Sequence, residues 1–311
     1  MHKNKLITVI GSSNFDIIIS VKKNPKAGES ILAKDLFTDY GGKGATQAVT
    51  ASKLGGNVKF LTCLGDDVFG KLVFDNFKEK KMDLEFIKIF KDQKNGMAAG
   101  TFDDKGENIV ICYPGANSLL NKDVIIENLD HILKPGIILT QLEIPLESVE
   151  YLSTKKTKDN TLIVNPSPVD NTVDYTPILK NVDILIPNEI EIGQLAGMEA
   201  STLEDIKRAS DIVLDMGVKN LVVTMGGNGV LIKNRDLERH IEAEKVKVVN
   251  TVGGGDIFAG SFTYYLSISD DLVESAVYAN RVAAISVTRE GTQSAIPQLS
   301  EIEEFEKFLI N

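Results

Sequence analysis

The sequence predicts an α/β fold: a three-layer αβα sandwich with a mostly parallel central sheet and a small antiparallel β lid. Short, near-continuous runs of Ile, Val and Leu, each closed by Gly, Asn, Pro or an acid, alternate with stretches of helical spacing. That is the pattern of parallel strands buried on both faces by helices. The rhythm breaks over 15–40 and 97–113, where polar residues interrupt paired strand-like runs and no helix intervenes. These two regions are expected to form a small projecting sheet, a lid or a dimer face.

In chain order, "LITVIG" from Leu6 reads as the first buried strand, and 15–40 as the first lid pair. Next comes "GGKGATQAVTASKLGG": Gly41, Gly42 and Gly44 permit close backbone approach around Lys43, a helix follows over Thr46–Leu54, and Gly55–Gly56 ends it. The run from Val58 leads to a helix over Val68–Lys80, then the second lid pair. "GIILTQLEIP" from Gly136 precedes a helix over Glu147–Lys155, "TLIVNPSP" begins at Thr161, and "VDILIPNE" from Val182 precedes helices over Ile190–Leu195 and Leu203–Met216. "NLVVTMGGNG" from Asn220 is a further strand; Val246, Val248 and Val249 read as another, with Asn250–Thr251 as a turn. After Gly253–Gly255, the residues Ile257, Phe258, Phe262, Tyr265 and Leu266 trace the apolar face of a helix. No repeat, low-complexity tract or polar linker divides residues 1–311, which read as one domain with an inserted lid.

Composition excludes several classes. With 43% apolar and 25% charged residues, no bilayer-length apolar run and no basic-then-apolar leader, the chain is expected to be a soluble cytoplasmic protein without a membrane partner. A net charge of −10 argues against nucleic acid, while a local pocket can still hold a small polyanion. Cys63 and Cys112 lie in apolar strand-like surroundings and are expected to be buried free thiols.

In open parallel sheets, ligands bind beyond the carboxyl ends of the strands. Those ends carry Asn14 and Asp16, Glu143, Asn188 and Glu191, and Thr224 with Gly226, Gly227 and Gly229. Structural roles compete for some of them: Asn188 as a helix cap, Glu191 as first-turn acid, Gly226–Gly227 as a hairpin. The Gly42–Lys43 segment is not a phosphate-binding P-loop, because position 37 is Phe and position 44 is Gly. Nor does 253–258 fit a dinucleotide fingerprint, which would need Gly at Phe258. The histidines are His2, His131 and His240, and no Gly-x-Ser-x-Gly elbow occurs, so no hydrolytic triad is suggested.

In "NTVGGGDIFAGSF" an acid, Asp256, stands where a glycine loop and a helix N-terminus should gather an anion. The pairing makes chemical sense if the anion is transient. A phosphoryl group in transfer needs N–H donors, and the acceptor hydroxyl needs a group to orient it and take its proton. Gly253, Gly254 and Gly255 would supply the first and Asp256 the second.

"GGKGATQAVTASKLGG" followed by "GDDVFG" resembles the first signature of the ribokinase-like sugar kinases, and "NTVGGGDIFAGSF" resembles the second. "GSSNFD", "QLEIPLESV", "VNPSP", "PNEIE" and "VTREGTQSAIP" extend the likeness from Leu6 to about Pro297. The resemblance implies phosphorylation of a sugar, D-ribose first, at its 5-hydroxyl by MgATP. Deoxyribose, a ketohexose, a keto-deoxy acid or a nucleoside are alternative acceptors, and a non-catalytic sugar-binding protein is the alternative of another class. It also implies residue roles. Asn14, Asp16, Gly42, Lys43, Gly44, Thr46 and Glu143 would surround the sugar, with Asp256 as base. Asn188 and Glu191 would help place Mg²⁺ through water, Thr224 to Gly229 with Gly255 would line the nucleotide, and Asn280 would lie near the adenine or ribose. Asn250, Val252, Ser286, Arg289, Gly291 and Ala295 would surround an activating K⁺, and the lids would pair two subunits as a homodimer. This sequence departs from the family pattern in having Thr46 for the usual Asn, Asn250 for the Asp that ligates K⁺, and Gly254 for Ala. An amide at 250 brings no full charge, which predicts weaker or altered activation by monovalent cations.

Overall fold

The computed structural model describes residues 4–105 and 108–310. The chain runs through β1 (Leu6–Ile10), β2 (Asn14–Ser20), β3 (Asp35–Gly41), α1 (Lys43–Lys53), β4 (Asn57–Gly65), α2 (Val68–Glu79) and β5 (Ile87–Phe90). It continues with β6 (Gly96–Phe102), β7 (Asn108–Tyr113), α3 (Lys122–Glu127), α4 (Leu129–Ile132), β8 (Gly136–Thr140), α5 (Leu146–Lys155), β9 (Asn160–Val164) and α6 (Thr176–Leu179). The last third holds β10 (Ile184–Leu185), α7 (Glu189–Ala196), α8 (Leu203–Asp215), β11 (Asn220–Thr224), β12 (Val230–Lys233), β13 (Glu238–Ile241), α9 (Gly254–Ser269), α10 (Leu272–Ser286) and α11 (Leu299–Ile310).

Among the described residues nine strands form the large sheet, ordered β13-β12-β11-β10-β9-β8-β1-β4-β5 and parallel from β11 to β5. At the other edge β12 and β13 pair antiparallel. Both faces are covered, which is why the strands read as unbroken apolar runs. In β8, Ile137 and Leu139 join one core with Ala48 of α1 and Ile257, Phe258 and Phe262 of α9. Between them Ile138 joins the other, with Val149 and Leu152 of α5 and Val213 of α8. Each fully buried Ile, Leu, Val or Phe among them contributes about 1.5–3 kcal/mol of hydrophobic stabilisation.

The small sheet is ordered β3-β2-β6-β7. Its outer pairs are antiparallel, as expected, but its central pair, β2–β6, is parallel. The reason is that both strands start at the edge of the large sheet, with Asn14 opposite Gly96, and run outward together.

Two other expectations need correction. Val246, Val248 and Val249 form no strand: Val248 and Val249 are exposed, and the Val249 N–H bonds to the Val287 carbonyl beyond α10, with no strand beside it among the described residues. β-propensity without a partner edge does not make a strand. Cys63 is buried as expected, but Cys112 is exposed, because β7 is an edge strand.

Glycines bring the site-bearing elements together. A Cβ on Gly44 would lie 2.6 Å from the Gly11 backbone, so the start of α1 rests on the loop after β1. A Cβ on Gly260 would lie 2.6 Å from the Gln47 carbonyl, so α1 and α9 touch backbone to backbone.

Candidate active site

At Gly42, φ is +84° and a Cβ would meet Ser13 Cα at 2.7 Å; only glycine lets the chain turn there into α1. The turn aims the Lys43 N–H at Glu143, whose Oε2 accepts it at 3.2 Å and also accepts the Ser12 hydroxyl at 2.5 Å. The Lys43 ammonium stands in the field of Asp256 first, then Glu143 and Glu191, which together hold its pKa above the usual lysine value against the opposing effect of burial. One helical turn on, Gln47 donates both amide hydrogens, to Asp256 Oδ1 at 2.9 Å and to Asn165 Oδ1 at 3.1 Å. Its own Oε1 accepts from Gln141 at 2.6 Å. The Asp256 carboxylate is therefore held in one orientation by a buried amide chain drawn from α1 and from the ends of β8 and β9.

The second flank of the cleft comes from the base of the small sheet. Asn14 Oδ1 accepts from Asn117 Nδ2 at 2.8 Å, and Asn117 Oδ1 accepts the Ser13 N–H at 2.8 Å. Beside it, Asp16 sits where a Cβ on Gly41 would fall 1.9 Å from its Oδ2. Burial first, and then the charges of Asp39, Glu143 and Asp256, push its carboxyl up to about 7, opposed by an N–H bond from Ala98. Asp16 Oδ1 is buried and has no hydrogen-bond partner among the described residues. Such a group demands one. Asn14, Asn117, Glu143 and Cys112 line a cavity of about 380 Å³ alongside. Thr46 is wholly buried in α1, and its Oγ1 also has no partner among the described residues.

Asn188 and Glu191 form a capping box at the start of α7: Asn188 Oδ1 accepts the Glu191 N–H at 2.8 Å, and Glu191 Oε2 accepts the Asn188 N–H at 2.9 Å. The structural role is thus real, yet Glu191 is also buried enough to raise its pKa, with the Ser167 hydroxyl bonded to it. Thr224 is bridged to Asn188 at the end of β11, and Gly226–Asn228 makes the tight turn into β12, so the hairpin reading holds as well. A Cβ at Gly227 or Gly255 would meet nothing within 4 Å among the described residues, and neither glycine has a positive φ, so nothing described there requires glycine at either position. Space has been left at both. Asn280, on α10, spends its amide on the Glu242 carbonyl at 2.9 Å.

Gly253, at φ +76°, precedes α9, and no side chain among the described residues caps the helix; Asp256 sits in its first turn. The N–H groups of a first turn have no partner within the helix. The Gly254 N–H there donates to the Thr251 carbonyl at 3.1 Å. A carboxylate, the N-terminal end of a helix and one lysine can together take a proton from a hydroxyl and accept an anion next to it. Around the expected cation position, Asn250 Oδ1 already accepts the Val252 N–H at 2.9 Å, the Ser286 carbonyl accepts the Arg289 N–H at 3.1 Å, and the Arg289 side chain pairs with Glu301 at 2.6 Å. Gly291 is at φ +95°, and Ala295 is buried and brings no polar side chain. The set offers neutral oxygens only.

Residues 4–299 match the pfkB family of carbohydrate kinases. The chain belongs to that family. A ribokinase of Dictyostelium discoideum is 38% identical over 95% of this chain and 98% of its own length. A deoxyribokinase of Salmonella typhi is 34% identical over 96% of this chain and 98% of its own. The structure of an Arabidopsis thaliana ribokinase complexed with ribose and ATP is similar with a TM-score of 0.88 and 28% identity, covering 98% of this chain and 100% of that one. In this pfkB carbohydrate kinase, Ser12, Gln47, Asn117, Gln141 and Asn165 complete the cleft and are not among the residues the sequence singles out. Gln141 and Asn165 stand at the ends of β8 and β9, so the strand-end rule could have found them. Gln47 lies one turn from Lys43, where helical spacing could have. Among the described residues no helix is long and apolar enough to cross a membrane.

Proposed function

We propose that the chain is an ATP-dependent ribokinase, transferring the γ-phosphoryl group of MgATP to the 5-hydroxyl of D-ribose to give ribose 5-phosphate and ADP. The observation that carries this is Asp256, oriented by Gln47 in the first turn of an uncapped helix and within the field of the Lys43 ammonium. Asp256 orients the hydroxyl and takes its proton as transfer proceeds, while Gly253, Gly254 and Gly255 receive the transferring oxygens. Asn14, Asp16, Lys43 and Glu143, with the Gly42–Gly44 backbone, hold the remaining hydroxyls; the unpartnered Asp16 Oδ1 suits a polyol donor. Thr46 acts from beneath the sugar segment. Thr224, Gly226, Gly227 and Gly229 line the nucleotide, and Asn280 fixes the segment at Glu242 beside it. Glu191 and Asn188 are suited to hold waters of Mg²⁺, because a buried carboxylate gains from a hard cation nearby. When bound with ATP, Mg²⁺ neutralises charge on the phosphate oxygens.

Asn250, Val252, Ser286, Arg289, Gly291 and Ala295 would give K⁺ neutral oxygens alone, so activation is expected to be weak. On this reading the enzyme is cytoplasmic and a homodimer through the small sheet. Deoxyribose is the rival acceptor, favoured by the deoxyribokinase relative at 34% identity. The test is ADP release from MgATP with D-ribose, deoxyribose and fructose side by side, in K⁺ and in a large organic cation. Fastest release with D-ribose supports the reading, and none with any sugar rejects it. Asp256→Asn is expected to lower kcat about 10²–10⁴-fold with sugar binding retained.

A further inference from the structure

Asp39 is a buried carboxylate that the reaction described above does not use. It is 6% exposed, and its charge is met by the loop after α10. Its Oδ2 accepts the Thr292 N–H at 2.5 Å, the Ser294 hydroxyl at 2.8 Å and the Ser294 N–H at 3.4 Å, while Oδ1 takes the N–H of its neighbour Tyr40 at 2.8 Å. The loop is shaped to receive it: a Cβ on Gly291 would lie 2.6 Å from Asp39 Oδ2. Charge-assisted bonds are strong, and breaking the buried one from the Thr292 N–H strands both groups.

What matters is what stands at each end of this clasp. On one side, Asp39 lies opposite Asp16 in the β2–β3 register, and four residues further on β3 has become the Gly42–Lys43 turn. On the other, Thr292 packs against the head of α9, its Cγ2 only 2.7 Å from where a Cβ on Gly253 would be. One carboxylate therefore joins the sugar-side strand to the loop that buttresses the anion-binding glycines.

We propose that Asp39 is a positioning residue that couples the two halves of the cleft, so that sugar seated at the base of the small sheet strengthens nucleotide binding at the head of α9. The ligands are those of the proposed function, on which this inference rests. Linkage makes the effect reciprocal, so nucleotide strengthens sugar binding by the same factor.

The experiment compares the dissociation constant of ADP with and without saturating D-ribose, by calorimetry, in the wild type, Asp39→Asn, Asp39→Ala and Ser294→Ala. In the wild type D-ribose is expected to tighten ADP about fivefold or more. In Asp39→Ala the ratio falls to about one; Asp39→Asn, which keeps an acceptor oxygen without the charge, and Ser294→Ala, which loses one bond, give intermediate ratios. If Asp39→Ala does not fold, the two milder variants decide. A wild-type ratio in the variants, even with both affinities weakened in parallel, overturns the coupling role and leaves Asp39 a structural residue. A wild-type ratio of one also overturns it, with the functional reading intact. Failure of the wild type to bind D-ribose at all overturns both, and is told apart from the other outcomes by the binary titration alone.

Discussion

Asp16 combines the features that most directly tie chemistry to pH. Its carboxyl is raised to about 7 by burial and by the charges of Asp39, Glu143 and Asp256, so without sugar it keeps a proton near neutrality. In its proposed role, sugar hydroxyls that donate to it would favour the ionised form, so sugar and proton would compete. Sugar affinity is expected to weaken by up to about tenfold per pH unit below pH 7, and Asp16→Asn should bind more weakly at pH 8 with a flat profile; titrations from pH 6 to 8 read both. An unchanged pH profile in the variant would remove Asp16 from the sugar site. The stability of the sugar-free protein runs with the same sign as the protonation. The fold holds a proton that the unfolded chain has released, so this group stabilises fully below its ordinary value of 3.8, and that contribution is lost as pH rises through about 7. At this scale the sequence points to the charged and glycine positions that the fold gathers around one cleft, because polar groups collect beyond the carboxyl ends of parallel strands. It does not disclose Gln47, Asn117 or Asn165. Their partners lie 209, 103 and 118 residues away, so strand-end position for Asn165 and helical spacing for Gln47 mark candidates only, and the bonds that single these amides out exist only once the partners are in place.

Among elements, the contact between α1 and α9 decides the geometry at Asp256. The helices approach at Gly260, where added carbon would press on the Gln47 carbonyl at 2.6 Å and on Thr50 Cβ at 2.8 Å. Gly260→Ala is expected to push α9 away, costing about 1–3 kcal/mol of stability through overpacking and breaking the Gln47–Asp256 alignment. Thermal unfolding and kcat should fall together. Gln47→Ala separates the two effects: kcat falls, while the helix contact stays. If Gly260→Ala lost stability and kept full kcat, the helix contact would not govern the base. The sequence discloses most elements well, α1 from its glycine flanks and α7 from the Asn188 to Glu191 spacing. The failure at Val246–Val249 is instructive, since apolar β-branched residues there fit a strand, but no neighbouring edge stands beside them among the described residues. The parallel β2–β6 pair is likewise invisible locally, because register across 82 residues of chain, from Asn14 to Gly96, is a property of where both strands are anchored.

For the whole molecule, the small sheet has two unlike faces, and its register separates them. Asp39, Asp16, Ala98 and Cys112 form one row toward the cleft. The rows Thr38–Ile17–Ala99–Ile111 and Leu36–Ile19–Thr101–Ile109 lie on the other face. Phe69 of α2 covers the base of that face by stacking on Phe15, but further out Ile111 is 71% and Leu36 56% exposed, a concentration of apolar side chains facing solvent. Such a patch marks an interaction surface, and a second copy of the same sheet is the partner proposed above. Ile111→Lys puts a charge on that face without touching the cleft row. The expected result is a dimer for the wild type and a monomer for the variant by light scattering at micromolar concentration. A wild-type monomer would sink the homodimer. If the dimer also steadies the sheet over the sugar, the Ile111→Lys monomer will show a raised KM for sugar with kcat little changed, since Asp256, Gln47 and the glycines of α9 belong to the large sheet and its helices. Equal loss of kcat would mean instead that the small sheet shapes the reacting groups themselves.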